Sequence, residues 1–241
     1  TSCARCHSTP GYLDYLGADG TTAFVVDNEA PIGTVIDCTA CHNDAATALD
    51  TVIFPSGESV TGLGPEARCM TCHQGRESTV SLNEEIDDAY EDDPNLLSDD
   101  HQSSELSFQN IHYFAAGATF YGSQAKGAYQ YNWDKEDPAE PPFYDGRNPH
   151  VASHDTCVEC HDPHTLEVRI DECRVCHPGD LAKVDTAELR DIRMAGSVLD
   201  YDGDGDAGEG LFYELEDMGE LLYETIQQYG TEVTGAPIIY D

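Results

Sequence analysis

The clearest hydrophobic pattern lies near the C-terminus, where apolar side chains recur every three or four residues. They are Leu211, Leu215, Met218, Leu222, Ile226 and Tyr229. This spacing places them on one face of a helix, so the sequence predicts its longest helix here, ended by Gly230. The tail after Gly230 lacks this period and is predicted to be extended. A shorter helix is predicted to begin at the caps Asp185 and Glu188 and to run to about Met194, before Gly196.

The N-terminal part of the chain contains short apolar runs separated by turn-forming residues. The first two are AFVVD (23–27) and GTVID (33–37), and the next two are TVIF (51–54) and ESVTG (58–62). Runs of this kind on either side of glycine, proline and asparagine are typical of β-hairpins. Each predicted hairpin precedes a cysteine pair, which indicates a loose internal repeat.

The middle of the chain has weaker patterns. Residues 80–105 are polar and acidic. Ser81 and Glu84 have the spacing of a helix capping box, but we favour a solvated acidic segment. The run 107–133 is rich in glycine and aromatic residues, and we predict that it wraps over flat apolar surfaces without regular structure. A proline-rich loop is predicted at 138–143.

The charge balance narrows the classes of function. The 241 residues include 47 acidic and 11 basic side chains, which gives a net charge of -36. Such a chain repels nucleic acid and anionic membrane surfaces, and no stretch approaches the roughly 20 apolar residues of a membrane span. We therefore expect no nucleic-acid partner and no membrane insertion. The ten cysteines and thirteen tyrosines argue against disorder over most of the chain.

The ten cysteines form five C-x-x-C-H motifs and leave no thiol over. The cysteines are Cys3, Cys6, Cys38, Cys41, Cys69, Cys72, Cys157, Cys160, Cys173 and Cys176, and the motif histidines are His7, His42, His73, His161 and His177. This motif attaches a c-type haem through two thioether bonds, and its histidine binds the iron. A zinc site would need thiolates converging in fours or with other ligands, and a disulfide framework would not need the histidines. The sequence therefore predicts five haem c groups.

The remaining histidines match the number of haems. Five lie outside the motifs, namely His101, His112, His150, His154 and His164. Five haems with two imidazoles each need ten histidines, and the chain has ten, so we predict bis-histidine iron throughout. A single free histidine is more commonly a surface residue, and the acidic surroundings of His101 make it the weakest candidate. Met194 or a histidine of a neighbouring subunit would replace it.

Three of these histidines crowd residues 150–164, which we call the hub segment. His164 lies three residues after His161 and is predicted to reach a neighbouring haem. His150 and His154 are predicted to serve other irons in the same way, so the hub segment would tie several haems together. The sixteen-residue step from Cys157 to Cys173 predicts one close haem pair.

An acidic loop, DYDGDGDAGEG, precedes the predicted C-terminal helix. Asp200, Asp202 and Asp204 occupy positions 1, 3 and 5 of a calcium loop, with Gly205 at position 6. Position 12 is Leu211 rather than glutamate. We therefore predict a structural Ca²⁺ site made by Asp200, Asp202, Asp204, Asp206 and Glu209, with Glu214 as the alternative to Glu209; a solvated acidic turn is the competing interpretation.

The motifs carry a resemblance to a known family. CHQGRES (72–78) and CHDPH (160–164) resemble segments of secreted cytochromes of long-range electron transfer. Over about residues 1–180 the chain is similar to pentahaem members of the multihaem c-type cytochromes, some of which polymerise into extracellular filaments. The resemblance implies a mostly irregular fold packed around stacked haems, with short β-hairpins and a few α-helices. Residues 181–241 would form a C-terminal helical segment.

These features predict an electron-transfer protein without enzymatic activity. Bis-histidine iron, haem propionates and the acidic shell favour ferric iron, so we expect low reduction potentials. A motif at Cys3 predicts a removed signal peptide, and we expect an extracellular or cell-surface location, with the periplasm as the alternative. The redox partners are not identified by the sequence. Self-association into a filament is the first interpretation, followed by a monomeric shuttle with a cationic partner and by an oxidoreductase with one open haem.

Overall fold

The computed structural model describes residues 3–31, 33–34, 36–90, 103, 105–127, 147, 149–179, 181, 185–193 and 196–238. In these ranges short helices and one small hairpin are joined by irregular segments, and the longest helix lies near the C-terminus, as the sequence predicts. None of the helices in the described ranges has the length and hydropathy needed to cross a membrane.

The chain forms two compact units. The first comprises Thr1–Glu91 and Leu106–Ala152, and the second comprises Asp92–Glu105 and Ser153–Asp241. The first three motifs therefore belong to one unit and the last two to the other. The boundary predicted near residue 180 falls inside the second unit, which contains both the last two motifs and the C-terminal helix.

The first unit is built from seven described helices and a hairpin. They are α1 (Ala4–His7), α2 (Thr9–Tyr15), α3 (Cys38–Cys41), α4 (Asp44–Ala48), β1 (Thr51–Ile53), β2 (Ser59–Thr61), α5 (Glu66–His73), α6 (Thr79–Tyr90) and α7 (Ala116–Ala125). Strands β1 and β2 pair antiparallel with Val52 opposite Val60. Both valines are buried against α5 and α7, in a cluster that includes Met70 and Tyr121. The second predicted hairpin is thus confirmed.

The first predicted hairpin is wrong, because residues 23–31 and the described part of 33–37 contain no strand. Side-chain contacts tie this segment to α2 instead. The carboxylate of Asp14 accepts hydrogen bonds from the N–H of Asn28 at 2.7 Å and from Thr21 Oγ1 at 2.8 Å. The N–H of Phe24 donates to the Tyr15 carbonyl at 2.6 Å. These bonds occupy the backbone that strand pairing would need, so the hairpin repeat does not extend to the first unit's N-terminal part.

Two helices occupy segments for which we predicted no regular structure. Helix α6 begins at Thr79, because Ser78 and Ser81 each accept the other's backbone N–H, at 3.1 and 2.8 Å. The prediction of a solvated acidic segment is therefore wrong for residues 80–90, which lie in α6. Residues 91–102 lie outside the described ranges. Helix α7 occupies part of the run 107–133, with a kink at Gly122.

The second unit contains α8 (Cys157–Cys160), α9 (Ile170–Cys173) and α10 (Leu211–Tyr229). A 3₁₀ helix at Thr186–Asp191 is capped by Asp185, whose carboxylate accepts the Ala187 N–H at 3.0 Å. The cap is as predicted, but the described helix is shorter and ends at Asp191. Helix α10 is confirmed. The prediction of an extended tail is wrong for its first residues, because a π-helical turn follows α10 at Gly230–Thr234.

Candidate haem-binding sites

All five C-x-x-C-H motifs fold into a helical turn with the same internal geometry. In four of them the histidine N–H donates to the carbonyl of the first cysteine, at 3.1 Å for His7, 2.8 Å for His42 and His161, and 3.0 Å for His177. The remaining motif lies within α5, which ends at His73. Residues at positions i, i+3 and i+4 share one face of a helix, so each turn presents two thiols and one imidazole together.

The thiols are available for attachment. All ten cysteines are described, and none forms a disulfide. Two thiols and an imidazole on one helical face are the donor set that a covalently bound haem requires. The residues of each motif therefore fit this group: the cysteines would hold the porphyrin and the histidine would bind the iron.

Two of the motif histidines have their ring orientation fixed by a backbone carbonyl. His73 Nδ1 lies 2.9 Å from the Phe114 carbonyl oxygen, and His161 Nδ1 lies 3.2 Å from that of Leu166. A carbonyl oxygen only accepts, so Nδ1 carries the proton in both rings. The lone pair of Nε2 is then free for a metal, which is the usual arrangement of metal-binding histidines.

The two residues that supply these carbonyls share an unusual backbone conformation. Phe114 has φ 53° and Leu166 has φ 63°, both in the left-handed region. Bulky residues rarely adopt this conformation, and it persists only where the surroundings impose it. Their side chains are 82% and 73% exposed, so apolar side-chain burial within the described chain does not explain it. Both residues turn a carbonyl toward a motif histidine.

Asp162 organises the turn that follows the fourth motif. Its carboxylate accepts the N–H groups of Thr165 and His164, both at 2.9 Å, and its carbonyl accepts the N–H of Leu166 at 2.8 Å. These backbone bonds, led by that of Thr165, lower the pKa of Asp162. The turn brings the Leu166 carbonyl back to His161 while the His164 side chain stays exposed.

The first and third motifs pack directly against each other. Cys6 Sγ lies 4.0 Å from the Thr71 carbonyl, and Cys72 Sγ lies 4.0 Å from the Arg5 carbonyl. The Cys72 thiol lowers the pKa of Cys6 to about 5 by hydrogen bonding, and the same contact raises the pKa of Cys72. Haems attached to these two motifs would therefore be neighbours, although the second motif separates them in sequence.

The fourth and fifth motifs are also close together. Helices α8 and α9 contact each other, and the Arg169 N–H donates to the Cys160 carbonyl at 2.8 Å. Burial raises the pKa of Cys160, and the nearby Cys173 thiol adds to the increase. This proximity supports the close haem pair that the short sequence step predicts.

The predicted distal histidines have different surroundings. The His112 ring lies 5.9 Å from the ring of His7, centre to centre. His154 is half-buried, with Nδ1 3.0 Å from Ser153 Oγ. The hub segment crosses the boundary between the units, with His150 in the first and the residues from Ser153 onward in the second. His101 and Met194 lie outside the described residues.

The acidic loop brings carboxylates into two overlapping groups. Asp202, Asp204, Glu209 and Asp217 form one group, and Asp200, Asp202 and Glu214 form the other, with ligand atoms within 4.8 Å of one another in each. The structure thus places both Glu209 and its predicted alternative Glu214 beside the loop carboxylates, and it adds Asp217 from α10. The carboxylate of Asp206 is outside both groups and accepts the Gly208 N–H at 2.9 Å.

An ion pair fixes one side of this loop. Arg193 pairs with the fully buried Glu214 and donates to the Glu209 carbonyl at 3.0 Å. Burial alone would raise the pKa of Glu214, but bonds from Arg193 and from the N–H groups of Tyr201 and Asp202 hold it below its usual range. Burial raises the pKa of Glu209, and nearby carboxylates add to this. The loop is therefore preorganised but electrostatically repulsive.

Sequence reasoning missed three contributors to these sites. No sequence pattern marks the carbonyls of Phe114 and Leu166, because every residue has a backbone carbonyl. Asp217 lies three residues after Glu214 on α10, and this helical spacing is the sequence feature that identifies it.

Comparison with known proteins gives a distant relative. The chain is 26% identical over 198 residues to the C-type polyheme cytochrome OmcB of two strains of Geobacter sulfurreducens, and the match covers 66% of this chain. It spans 24% of the length of these curated relatives. No family model matches, and no solved structure matches. The similarity supports multihaem electron transfer with haem c as the general class of function.

Proposed function

We propose that this chain carries electrons through five covalently bound c-type haems, each with two histidine ligands. The observation that carries the proposal is the shared geometry of the motifs, in which two thiols that form no disulfide and an imidazole project from one helical turn. Iron with two imidazoles has no vacant position for a substrate, whereas electron passage needs none. The chain is accordingly proposed to be a carrier and not an enzyme.

When bound, the haems supply a one-electron ferric–ferrous couple. The cysteines of the chain fix the position of each porphyrin, and the motif histidines orient a nitrogen toward each iron. The carbonyls of Phe114 and Leu166 increase the basicity of His73 and His161, which favours the ferric state. The net charge of -36 acts in the same direction. Low reduction potentials follow.

The small apolar core of the second unit supports a folding role for the haems. Its described residues bury two large apolar side chains, Ile170 and Leu181. Two buried apolar side chains among the described residues are few for a unit that would be stable on its own. Haems on the last two motifs would add large apolar surfaces to it.

The decisive experiment uses the purified, haem-loaded chain. Its mass should exceed that of the polypeptide by five haem groups, and its ferric spectrum should be entirely low-spin. Potentials should lie below that of the standard hydrogen electrode. A high-spin ferric haem would favour the oxidoreductase instead, and fewer than five haems would contradict the proposal.

We further propose that the chain acts outside the cytoplasmic membrane and associates into a filament. The polymer proposal derives from the family resemblance and is supported by an exposed apolar stripe on α10, where Leu215 and Leu222 are each 60% exposed. Electron microscopy of the concentrated, haem-loaded chain tests it. Discrete particles alone would favour the monomeric shuttle, whose transfer rate to a cationic partner should fall with salt.

We also propose that the acidic loop binds one Ca²⁺ ion. Buried oxygens without a hydrogen-bond partner support this site, since Asp202 Oδ2 and Glu209 Oε1 have none. Carboxylates that converge without a cation repel one another, and oxygen ligands in a flexible loop are what Ca²⁺ prefers. The ion would be structural and would connect the loop to α10 through Glu214 and Asp217.

A further inference from the structure

The rings of His7 and His112 lie in the relation expected of two ligands of one iron. Their centres are 5.9 Å apart and their planes are inclined at 85°. Two imidazoles that bind one metal ion from opposite sides, through metal–nitrogen bonds of about 2 Å, have ring centres roughly 6 Å apart. The observed separation therefore matches a shared metal ion.

His7 is held on its side of this pair by the first motif. Its N–H donates to the Cys3 carbonyl at 3.1 Å, and its own carbonyl accepts the Gly33 N–H at 3.0 Å. The preceding residue, Cys6, is packed against the third motif. The backbone of His7 is thus held by α1 and its neighbours.

His112 is held on both flanks by the third motif and the segment that follows it. The Ile111 carbonyl accepts the Arg76 N–H at 2.9 Å, and the Phe114 carbonyl lies 2.9 Å from His73 Nδ1. Gly75 allows the close approach, because a Cβ there would lie 3.0 Å from the Ile111 side chain.

The backbone of His112 itself is in an uncommon conformation. Its φ is 83°, and its N–H donates to Asn110 Oδ1 at 2.8 Å. Non-glycine residues in this region are strained and persist where the surrounding structure requires a particular side-chain direction. In His112 this conformation places the imidazole beside the ring of His7, with 5.9 Å between the ring centres.

We propose that His112 is the second axial ligand of the haem attached at Cys3 and Cys6, with its imidazole plane nearly perpendicular to that of His7. This rests on the proposed haem function and assigns one distal histidine to one iron. It also makes residues 112–114 a direct connection between two haems, because Phe114 positions His73 of the third motif. The first and third haems would thus be linked electronically through three residues.

The ring orientation has a spectroscopic consequence. Perpendicular imidazoles leave two iron d orbitals nearly equal in energy, which increases the anisotropy of the low-spin ferric signal in electron paramagnetic resonance. Parallel imidazoles split these orbitals and give a smaller largest g value. The haem-loaded chain should therefore show one highly anisotropic low-spin signal that belongs to the first haem.

Substitution of His112 in the full, haem-loaded chain tests the assignment. His112→Gly should convert one of five low-spin haems to high-spin, remove the highly anisotropic signal, and leave the other four unchanged. Added imidazole should restore low-spin iron. The matched control is Tyr113→Phe, which keeps the ring that contacts His112 and should leave the spectrum unchanged.

A second variant identifies the iron. His7→Gly should remove the same signal as His112→Gly, whereas loss of a different signal would overturn the pairing. If His7→Gly fails to take up its haem, a structure of the parent holoprotein decides, and any second ligand other than His112 on the first iron overturns the proposal. If His112→Gly protein keeps all of its haems low-spin, the His7–His112 pairing is overturned, but five-haem electron transfer is not. A parent chain that binds no haem would overturn both the pairing and the proposed function.

Discussion

His73 Nδ1 lies 2.9 Å from the carbonyl oxygen of Phe114, although 41 residues separate them in sequence. His161 and Leu166 repeat this relationship at 3.2 Å within one tight turn. In both cases a bulky residue in the left-handed conformation supplies the carbonyl. The chain thus uses backbone strain to fix the tautomer of two predicted iron ligands, once locally and once through tertiary structure.

Changing the backbone preference at Leu166 should alter the potential of the fourth haem. A β-branched residue disfavours positive φ, so Leu166→Val should turn the carbonyl away from His161. A hydrogen bond contributes about 1 kcal/mol, and 59 mV corresponds to about 1.4 kcal/mol for a one-electron couple, so this potential should rise by up to roughly 40 mV. Leu166→Gly keeps the left-handed turn, so the potential of the fourth haem should be unchanged in a redox titration. Equal shifts of this potential in both variants would contradict the role of the carbonyl.

Two glycine-to-alanine changes should have opposite effects on stability. A Cβ at Gly11 would lie 2.4 Å from the Ala4 carbonyl oxygen, where α2 crosses the first haem motif. Gly11→Ala should therefore destabilise the protein by roughly 1–3 kcal/mol, as overpacking does. Gly219 lies in α10 with nothing within 4 Å of such a Cβ, and Gly219→Ala should stabilise that helix by up to about 1 kcal/mol. Thermal unfolding of the haem-loaded variants measures both.

Calcium should bind to chelator-treated protein and stabilise it. At a free concentration of 100 times the dissociation constant, the stabilisation should be about 2.7 kcal/mol. Asp202→Asn should abolish the binding heat in calorimetry, because Asp202 belongs to both carboxylate groups. Asp206→Asn is the matched control, since its carboxylate lies outside them. Absence of binding heat in the parent protein would contradict the site.

Removal of the His164 imidazole tests the hub segment. His164 follows His161 by three residues, and its side chain is exposed in the turn that Asp162 organises. His164→Ala should therefore produce one high-spin haem that is not the haem on Cys157 and Cys160. Assignment of the high-spin signal to that haem would show the hub interpretation to be wrong.

The Asp14 contacts predict a pH dependence of the loop after α2. The backbone N–H of Asn28, with Thr21 and the Asn28 side chain, lowers the pKa of Asp14. A carboxylate with a lowered pKa in the folded state stabilises the protein above its unfolded pKa of about 3.9, and this stabilisation is lost as the pH falls through the lower folded value. The protection of the amides of residues 17–28 from hydrogen exchange, relative to an unfolded chain at the same pH, should therefore fall below about pH 4. Asp14→Asn should show fast exchange already at pH 7, and slow exchange in this variant would contradict the role of the carboxylate.

Local patterns in the sequence predicted the parts of this protein that depend on local interactions. The five motifs are contiguous, so their spacing alone puts each pair of thiols and its histidine on one helical turn. The stripe from Leu211 to Tyr229 gave α10 for the same reason, and Asp185 was recognised as a cap from its position. The hairpin at Thr51–Thr61 followed from alternation and a turn.

Interactions between distant segments decided the rest. The run AFVVD has the composition of a strand, but Asp14 binds the backbone that follows it, and no such competition is visible in a local pattern. Helix α7 forms against α5, where Gly117 meets Met70. The placement of His112 beside His7, the Phe114 carbonyl at His73, and Asp217 at the acidic loop all join residues from separate elements. Sequence specified which groups can bind a haem or a cation, whereas only packing determined which of them meet, because the free energy of those contacts depends on the whole chain.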